Sequence, residues 1–213
     1  MSRPPAVDQL TRRDERTAVA TLSAAFADYV LLTALCPDPE RRRRVAWTYS
    51  RLLFRMAAVE GGAFATADRA AVVCALPPRR EWPTPWAFVC CGAVSLGVHL
   101  RPRAALQMIR IGVAFDEARE RHLGARPHWY VHLLGVRPGA QGRGLARAVL
   151  APVFAAADRS GVPVYLETMP EANVPIYQKL GFALVGLREL PGGLPNHELV
   201  REPAPGVRRS VTG

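Results

Sequence analysis

Apolar residues recur along the chain at two periods, and the switches between them set out a mixed α/β order. Thr11-Arg12-Arg13-Asp14 reads as a capping box, and Leu22, Phe26 and Tyr29 follow at helical spacing, which predicts one helix through that stripe. Asp38 before Pro39 is a second start signal, an N-cap with proline at the first helical position. Val45, Tyr49, Leu52 and Met56 form the apolar stripe of that helix, and Gly61-Gly62 ends it. Two short strands follow, Ala63 to Ala67 and Ala70 to Leu76, with Asp68-Arg69 as the turn. Trp86 to Leu123 reads as two helices broken near Arg101-Pro102. His128 to Val136 reads as a strand, Gly144 to Ser160 as a helix and Val164 to Thr168 as a strand. Ala172 to Leu180 is a short helix, and Phe182 to Leu187 and Asn196 to Arg201 are the last strands. No internal repeat is present. The expected organisation is a single domain over residues 1–203, with 82–123 a helical segment beside the acceptor and 204–213 a disordered tail.

Composition narrows the class. At 213 residues, 49% hydrophobic and 22% charged, the chain suits a soluble globular domain with a sizeable core. The uncharged run Trp82 to Leu100 is broken by Pro83 and Pro85 and diluted by Gly92 and Gly97, so a buried helix or a pocket wall explains it better than a membrane span. Cys36, Cys74, Cys90 and Cys91 have neither metal-ligand spacing nor the density of a disulfide scaffold, which fits a reducing cytoplasm. The histidines are scattered and predict no metal. The net charge is +10, and a positive field favours capture of a polyanionic ligand. Arg41 to Arg44 read as a solvated helix face; no aromatic interleaving points to nucleic acid.

The segment Val136-Arg137-Pro138-Gly139-Ala140-Gln141-Gly142-Arg143-Gly144-Leu145-Ala146 carries the most chemistry. It joins a predicted strand to a predicted helix. Its glycines let backbone N–H groups converge at a helix N-terminus, where the first amides lack internal partners and carry partial positive charge. The Gly-Lys-Ser/Thr of a Walker loop is absent, and Arg147 stands where a dinucleotide fingerprint needs Gly or Ala. An ordinary glycine-rich turn remains the alternative.

Gln141-Gly142-Arg143-Gly144-Leu145-Ala146 resembles the Q/R-x-x-G-x-G/A motif of the GNAT acetyltransferases. Downstream, Asn173-Val174-Pro175-Ile176-Tyr177-Gln178-Lys179-Leu180-Gly181-Phe182 resembles the second signature of that superfamily. The resemblance is close from His128 to Phe182 and loose elsewhere. Ala24 to Tyr29, Gly161-Val162-Pro163 and Leu166-Glu167-Thr168 are similar to the puromycin N-acetyltransferases, whereas Trp82 to Leu123 departs from them, so puromycin itself is not implied.

The resemblance implies a GNAT fold: a mixed twisted sheet with a splayed central strand pair, flanked by helices. It implies acetyl-CoA as co-substrate and direct acetyl transfer to the amine of a small molecule, an antibiotic or another metabolite among the candidates. Backbone groups at Leu134, Gly135 and Val136 would meet the pantetheine arm, with the Leu134 N–H facing the thioester carbonyl. The amides from Gln141 through Gly142, Arg143, Gly144 and Leu145 to Ala146 would hold the pyrophosphate, and Asn173 would touch the pantetheine. Tyr177 matches the position of the general acid. His132 and Glu167 compete for the role of base, with Tyr130 lining the same cleft by strand alternation and His197 more distant. A protein or peptide acetyltransferase and a non-catalytic acyl-CoA-binding module are the competing readings. A monomer or homodimer acting in the cytoplasm, without metal, nucleic acid or membrane, completes the expectation.

Overall fold

The computed structural model describes residues 5–78 and 85–204. A short edge strand β1 (Val7–Gln9), which the apolar pattern does not announce, precedes the capped entry to α1 (Glu15–Phe26). A 3₁₀ turn over Arg12–Asp14 leads into α1 and opens on a reciprocal capping box: the Arg13 amide donates to the Thr11 hydroxyl, and the Thr11 amide to Asp14. The predicted single helix through Tyr29 does not form. α1 stops at Phe26, and Tyr29 takes an extended conformation that opens a separate helix, α2 (Val30–Leu35). This break frees the Tyr29 side chain to reach the sheet, where its hydroxyl accepts from the Met169 amide at 3.1 Å.

α3 (Pro39–Val59) starts as the sequence predicts, with Asp38 accepting from the Glu40 amide. The run Arg41 to Arg44 is not wholly a solvated face. Arg42 turns inward and donates to the carbonyls of Ala27 and Pro37, pinning the α1–α2 turn and the start of α3 together. β2 (Ala63–Thr66) and β3 (Ala71–Leu76) form the predicted hairpin, with Arg69 at φ 55° in its turn.

The segment before β4 holds three helices, α4 (Pro85–Cys91), α5 (Ala93–His99) and α6 (Pro102–Leu123), rather than the two expected. Gly92, at φ 113°, supplies the extra break in a backbone conformation that L side chains rarely adopt. Residues 79–84, with the start of the apolar run at Trp82, lie outside the described residues, as does the expected disordered tail apart from Ala204. Then come β4 (Trp129–Val136), α7 (Leu145–Ser160), β5 (Val164–Thr168), α8 (Val174–Gln178), β6 (Ala183–Leu190) and β7 (Leu194–Arg201).

The seven strands form one sheet in the order β1-β2-β3-β4-β5-β7-β6. Every neighbouring pair is antiparallel except β4 and β5. One face packs on α1 and α3 through Leu22, Val45, Phe54, Val72, Cys74 and Leu133. The other packs on α7 through Val149, Val153, Ala157, Val73, Ala75 and Val131.

Two irregularities in β4 shape the centre of the sheet. Opposite β3 the register runs Cys74↔Leu133 and then Ala75↔Val131, so His132 is the extra residue of a β-bulge. Trp129 and Val131 face α7 before the bulge, and Leu134 and Val136 face it afterwards. The second irregularity is Gly135. A Cβ there would lie 3.0 Å from Leu22 and 3.1 Å from Ala25, so α1 closes directly onto the β4 backbone.

Candidate active site

β4 and β5 pair over only three rungs: Trp129↔Val164, Tyr130↔Tyr165 and Val131↔Leu166. Beyond them β4 continues to Val136 along β3, while β5 continues to Thr168 along β7. The strands part, and among the described residues no strand pairs with the side of β4 from Leu133 to Val136 that would meet β5. The gap contains the predicted residues Leu134, Gly135 and Val136.

Two matching tripeptides stand at the parting. Tyr130-Val131-His132 on β4 and Tyr165-Leu166-Glu167 on β5 share a register, so the tyrosines are opposite each other on the rung before the last. His132 and Glu167 come one alternation later, where the strands separate. Their side chains gather on the face away from α7. The Tyr130 ring lies 4.1 Å from the His132 ring and 5.7 Å from that of Tyr165. Glu167 accepts two phenol hydrogen bonds, from Tyr130 at 2.6 Å and from Tyr165 at 2.9 Å. α6 covers this face with Arg119, whose guanidinium sits 5.3 Å from the Tyr130 ring centre.

This environment moves the two candidate bases in opposite directions. Burial pushes the Glu167 carboxyl up to about 8, against the opposing pull of the two hydroxyls and Arg119. Burial, helped by the Arg119 charge, pushes the His132 imidazole down to about 3. His132 is therefore neutral across the working range, and Glu167 titrates near it. His197 lies on β7, with Nδ1 3.1 Å from the Thr168 carbonyl oxygen.

The glycine-rich segment forms the loop from β4 to α7. Leu145 is buried and anchors the helix, while Gln141, Gly142, Arg143 and Gly144 are exposed and Ala146 is half-buried. Gly142 and Gly144 have φ of 76° and 74° with open space where a Cβ would stand. Among the described residues, the amides from Gly142 to Ala146 make no internal hydrogen bond. Gln141 braces the loop by accepting from the Gly139 amide at 3.2 Å. Unpaired amides at the start of a 16-residue helix, next to a parted strand pair, fit a pyrophosphate with an extended arm.

α8 faces the same region. Tyr177 is half-buried, packs edge-on to Phe182 at 5.8 Å, and has its hydroxyl pKa raised by burial and by the nearby Tyr29. Asn173 donates to the Thr168 hydroxyl at 2.8 Å, at the end of β5. Arg119, Tyr165 and Tyr29 join this cluster in addition to the residues expected from the sequence. The repeated Tyr-x-His and Tyr-x-Glu spacing was a visible signal for Tyr165; Arg119 and Tyr29 had none, because they come from distant helices.

Residues 105–182 match the model of the acetyltransferase (GNAT) family. A solved structure of a histone acetyltransferase HPA2-related acetyltransferase from Corynebacterium glutamicum superposes with a TM-score of 0.65 at 19% identity, covering 96% of this chain and 99% of that one. The chain has the GNAT fold. An agmatine N-acetyltransferase structure shares this fold, with a TM-score of 0.65 at 17% identity over 92% of this chain and 98% of its own. An uncharacterized N-acetyltransferase of Schizosaccharomyces pombe is 41% identical over 54 residues, which are 25% of this chain and 22% of the relative. The chain thus spans about a fifth of the length of the curated relatives it matches.

The raised Glu167 pKa makes a stability prediction. A carboxyl whose pKa is about 8 when folded and near 4.5 otherwise keeps its proton longer in the native state. Its contribution is full below pH 4.5 and is lost as pH rises through 8, at up to about 1.4 kcal/mol per pH unit. Glu167→Gln cannot titrate, so its stability relative to the parent should climb between pH 5 and pH 8. Denaturant unfolding of both proteins across that range checks this, and a constant difference would refute the assigned shift.

Proposed function

We propose that the protein is an acetyl-CoA-dependent N-acetyltransferase acting on the amine of a small molecule. The observation that carries this reading is the parting of β4 and β5 beside the unpaired amides of the β4–α7 loop. Acetyl-CoA would supply an acetyl thioester, whose carbonyl carbon accepts the amine and whose sulfur departs. The amides from Gln141 to Ala146 hold the pyrophosphate, and the backbone of Leu134, Gly135 and Val136 holds the arm. The Leu134 N–H stabilises negative charge developing on the carbonyl oxygen. Asn173 supports the end of β5 and contributes to the arm's binding.

Glu167 acts as the base. An amine attacks only when neutral, and a carboxylate with a pKa of about 8 matches that proton transfer near the operating pH. His132 stays neutral and shapes the cleft beside Tyr130. Activity is then expected to fall as pH drops below about 8, and this limb should disappear in Glu167→Gln. Tyr177 donates its hydroxyl proton to the departing sulfur. Its raised pKa keeps that proton in place through mildly alkaline pH.

A small amine as acceptor is supported by the shared fold of the agmatine N-acetyltransferase and by the segments similar to puromycin N-acetyltransferases, and an antibiotic or metabolite amine follows from the latter. Thiol release from acetyl-CoA across a panel of polyamines, arylalkylamines and aminonucleosides tests the proposal. Turnover only with peptide amines would move the acceptor to protein, and tight acetyl-CoA binding without turnover on any amine would leave a binding module.

Cofactor binding is expected to stabilise the fold by about 2.7 kcal/mol at ~100-fold excess over Kd. Gly144→Asp places a carboxylate among amides facing a phosphate and strains a left-handed backbone, so it should abolish the thermal shift in a protein that still folds. Wild-type affinity in that variant would exclude the loop as the phosphate site.

Tyr177→Phe removes one hydroxyl and keeps the ring against Phe182. Turnover should fall about 10²-fold with little change in acetyl-CoA affinity, because the proton is needed only as charge develops on sulfur. Near-normal turnover would leave Tyr177 a packing residue.

A further inference from the structure

Glu167 directly follows the last rung joining β4 and β5, Val131↔Leu166, and both tyrosines of the Tyr130↔Tyr165 rung direct their hydroxyls at its carboxylate. Tyr130 donates to one oxygen, Oε2, and Tyr165 to the other, Oε1. Each carboxylate oxygen is therefore held by one phenol, and the two phenols come from two different strands. Resting on the reading of Glu167 as base, we propose that Tyr130 and Tyr165 are positioning residues: a two-phenol clamp that aims the Glu167 carboxylate into the parting of the strands and sets the pH at which it loses its proton.

The register makes the clamp. In a parallel pair, opposed residues share a face, so Tyr130 and Tyr165 stand side by side and Glu167 follows two residues later on that face. The rungs that hold the tyrosines are the closed part of the strand pair, and the carboxylate they hold is at its open part. Tyr165 is fully buried, and Tyr130 nearly so. Both rings are thus fixed by packing, and the direction of their hydroxyls is fixed with them.

The chemistry follows from what the donors favour. A hydroxyl donating to a carboxylate stabilises the charged form, while burial destabilises it. When Glu167 is protonated, one oxygen carries the proton and becomes a poorer acceptor, so the phenol on that oxygen loses its charge-assisted hydrogen bond. The clamp therefore resists protonation. Other groups act on the same carboxylate from the surrounding elements. Arg119 on α6 favours its charge, Glu198 on β7 opposes it, and its own charge is felt by Tyr29 before α2 and Tyr49 on α3. His132 lies against Tyr130 and stays neutral. Of all these, only Tyr130 and Tyr165 hydrogen-bond the carboxylate among the described residues.

Tyr130→Phe, Tyr165→Phe and Glu167→Gln separate the possibilities. The first two keep each ring in place and remove one donor. The Glu167 carboxyl pKa is read by ¹³C NMR titration of the ligand-free protein, with the Glu167→Gln spectrum assigning the resonance. The pH–rate profile is read with one acceptor amine. Each Phe variant should raise the Glu167 pKa by about one unit or more, the worth of a hydrogen bond to a charged group. The acid limb of the rate should move by the same amount, and activity should recover at higher pH. Folded Phe variants with an unmoved Glu167 pKa would overturn the clamp, whatever Glu167→Gln does. If Glu167→Gln retains the acid limb, the base reading fails instead, whatever the NMR titration shows. A purely structural role for the tyrosines would lower the melting temperature and leave both titrations in place.

Discussion

The whole arrangement depends on β4 and β5 being held by different neighbours. A parallel pair is joined by slanted, evenly spaced bonds, slightly weaker per residue than antiparallel ones, and here each strand also has an antiparallel neighbour. Here β4 follows β3, through a bulge at His132 that bends the strand and increases its local twist. β5 follows β7 in an unbroken antiparallel register to Thr168. After three shared rungs the two neighbours carry the strands apart. α1 reinforces the divergence by closing onto β4 at Gly135, where any side chain would meet Leu22 or Ala25.

That one divergence sorts the chemistry by position. Toward α7, it leads into a loop whose Gly142 to Ala146 amides make no internal hydrogen bond among the described residues, at the positive end of a helix dipole. Away from α7, Tyr130, His132, Tyr165 and Glu167 meet beneath α6 at the parting. The open backbone amides and the side-chain cluster thus lie at a single opening but are separate groups.

The same partition explains what similarity covers. The family match, residues 105–182, runs from within α6 through β4, the loop, α7 and β5 to just past α8, which are the elements that make the opening and its amides. Fold likeness extends over more than nine-tenths of the chain at below 20% identity. Helices α4 and α5, which lie outside the matched segment, come from the part of the sequence that departs from the resemblance.

Local signals carried far. The caps at Thr11 and Asp38, the Gly-rich loop, the strand periods and the start of α7 were readable because each depends on residues within one turn of each other. So was the joining of a strand end to a helix N-terminus through that loop. The sequence did not show that Tyr29 leaves the first helix to meet Met169, that Gly92 divides the helical segment, or that β1 pairs at the edge of the sheet. Those outcomes turn on contacts between distant segments, which override local propensity. Nor could it rank His132 against Glu167. Both residue types are ordinary bases in water. Only the fold decides that one is buried beneath Arg119 and the other is grasped by two tyrosines, because a pKa records the surroundings of a group in three dimensions.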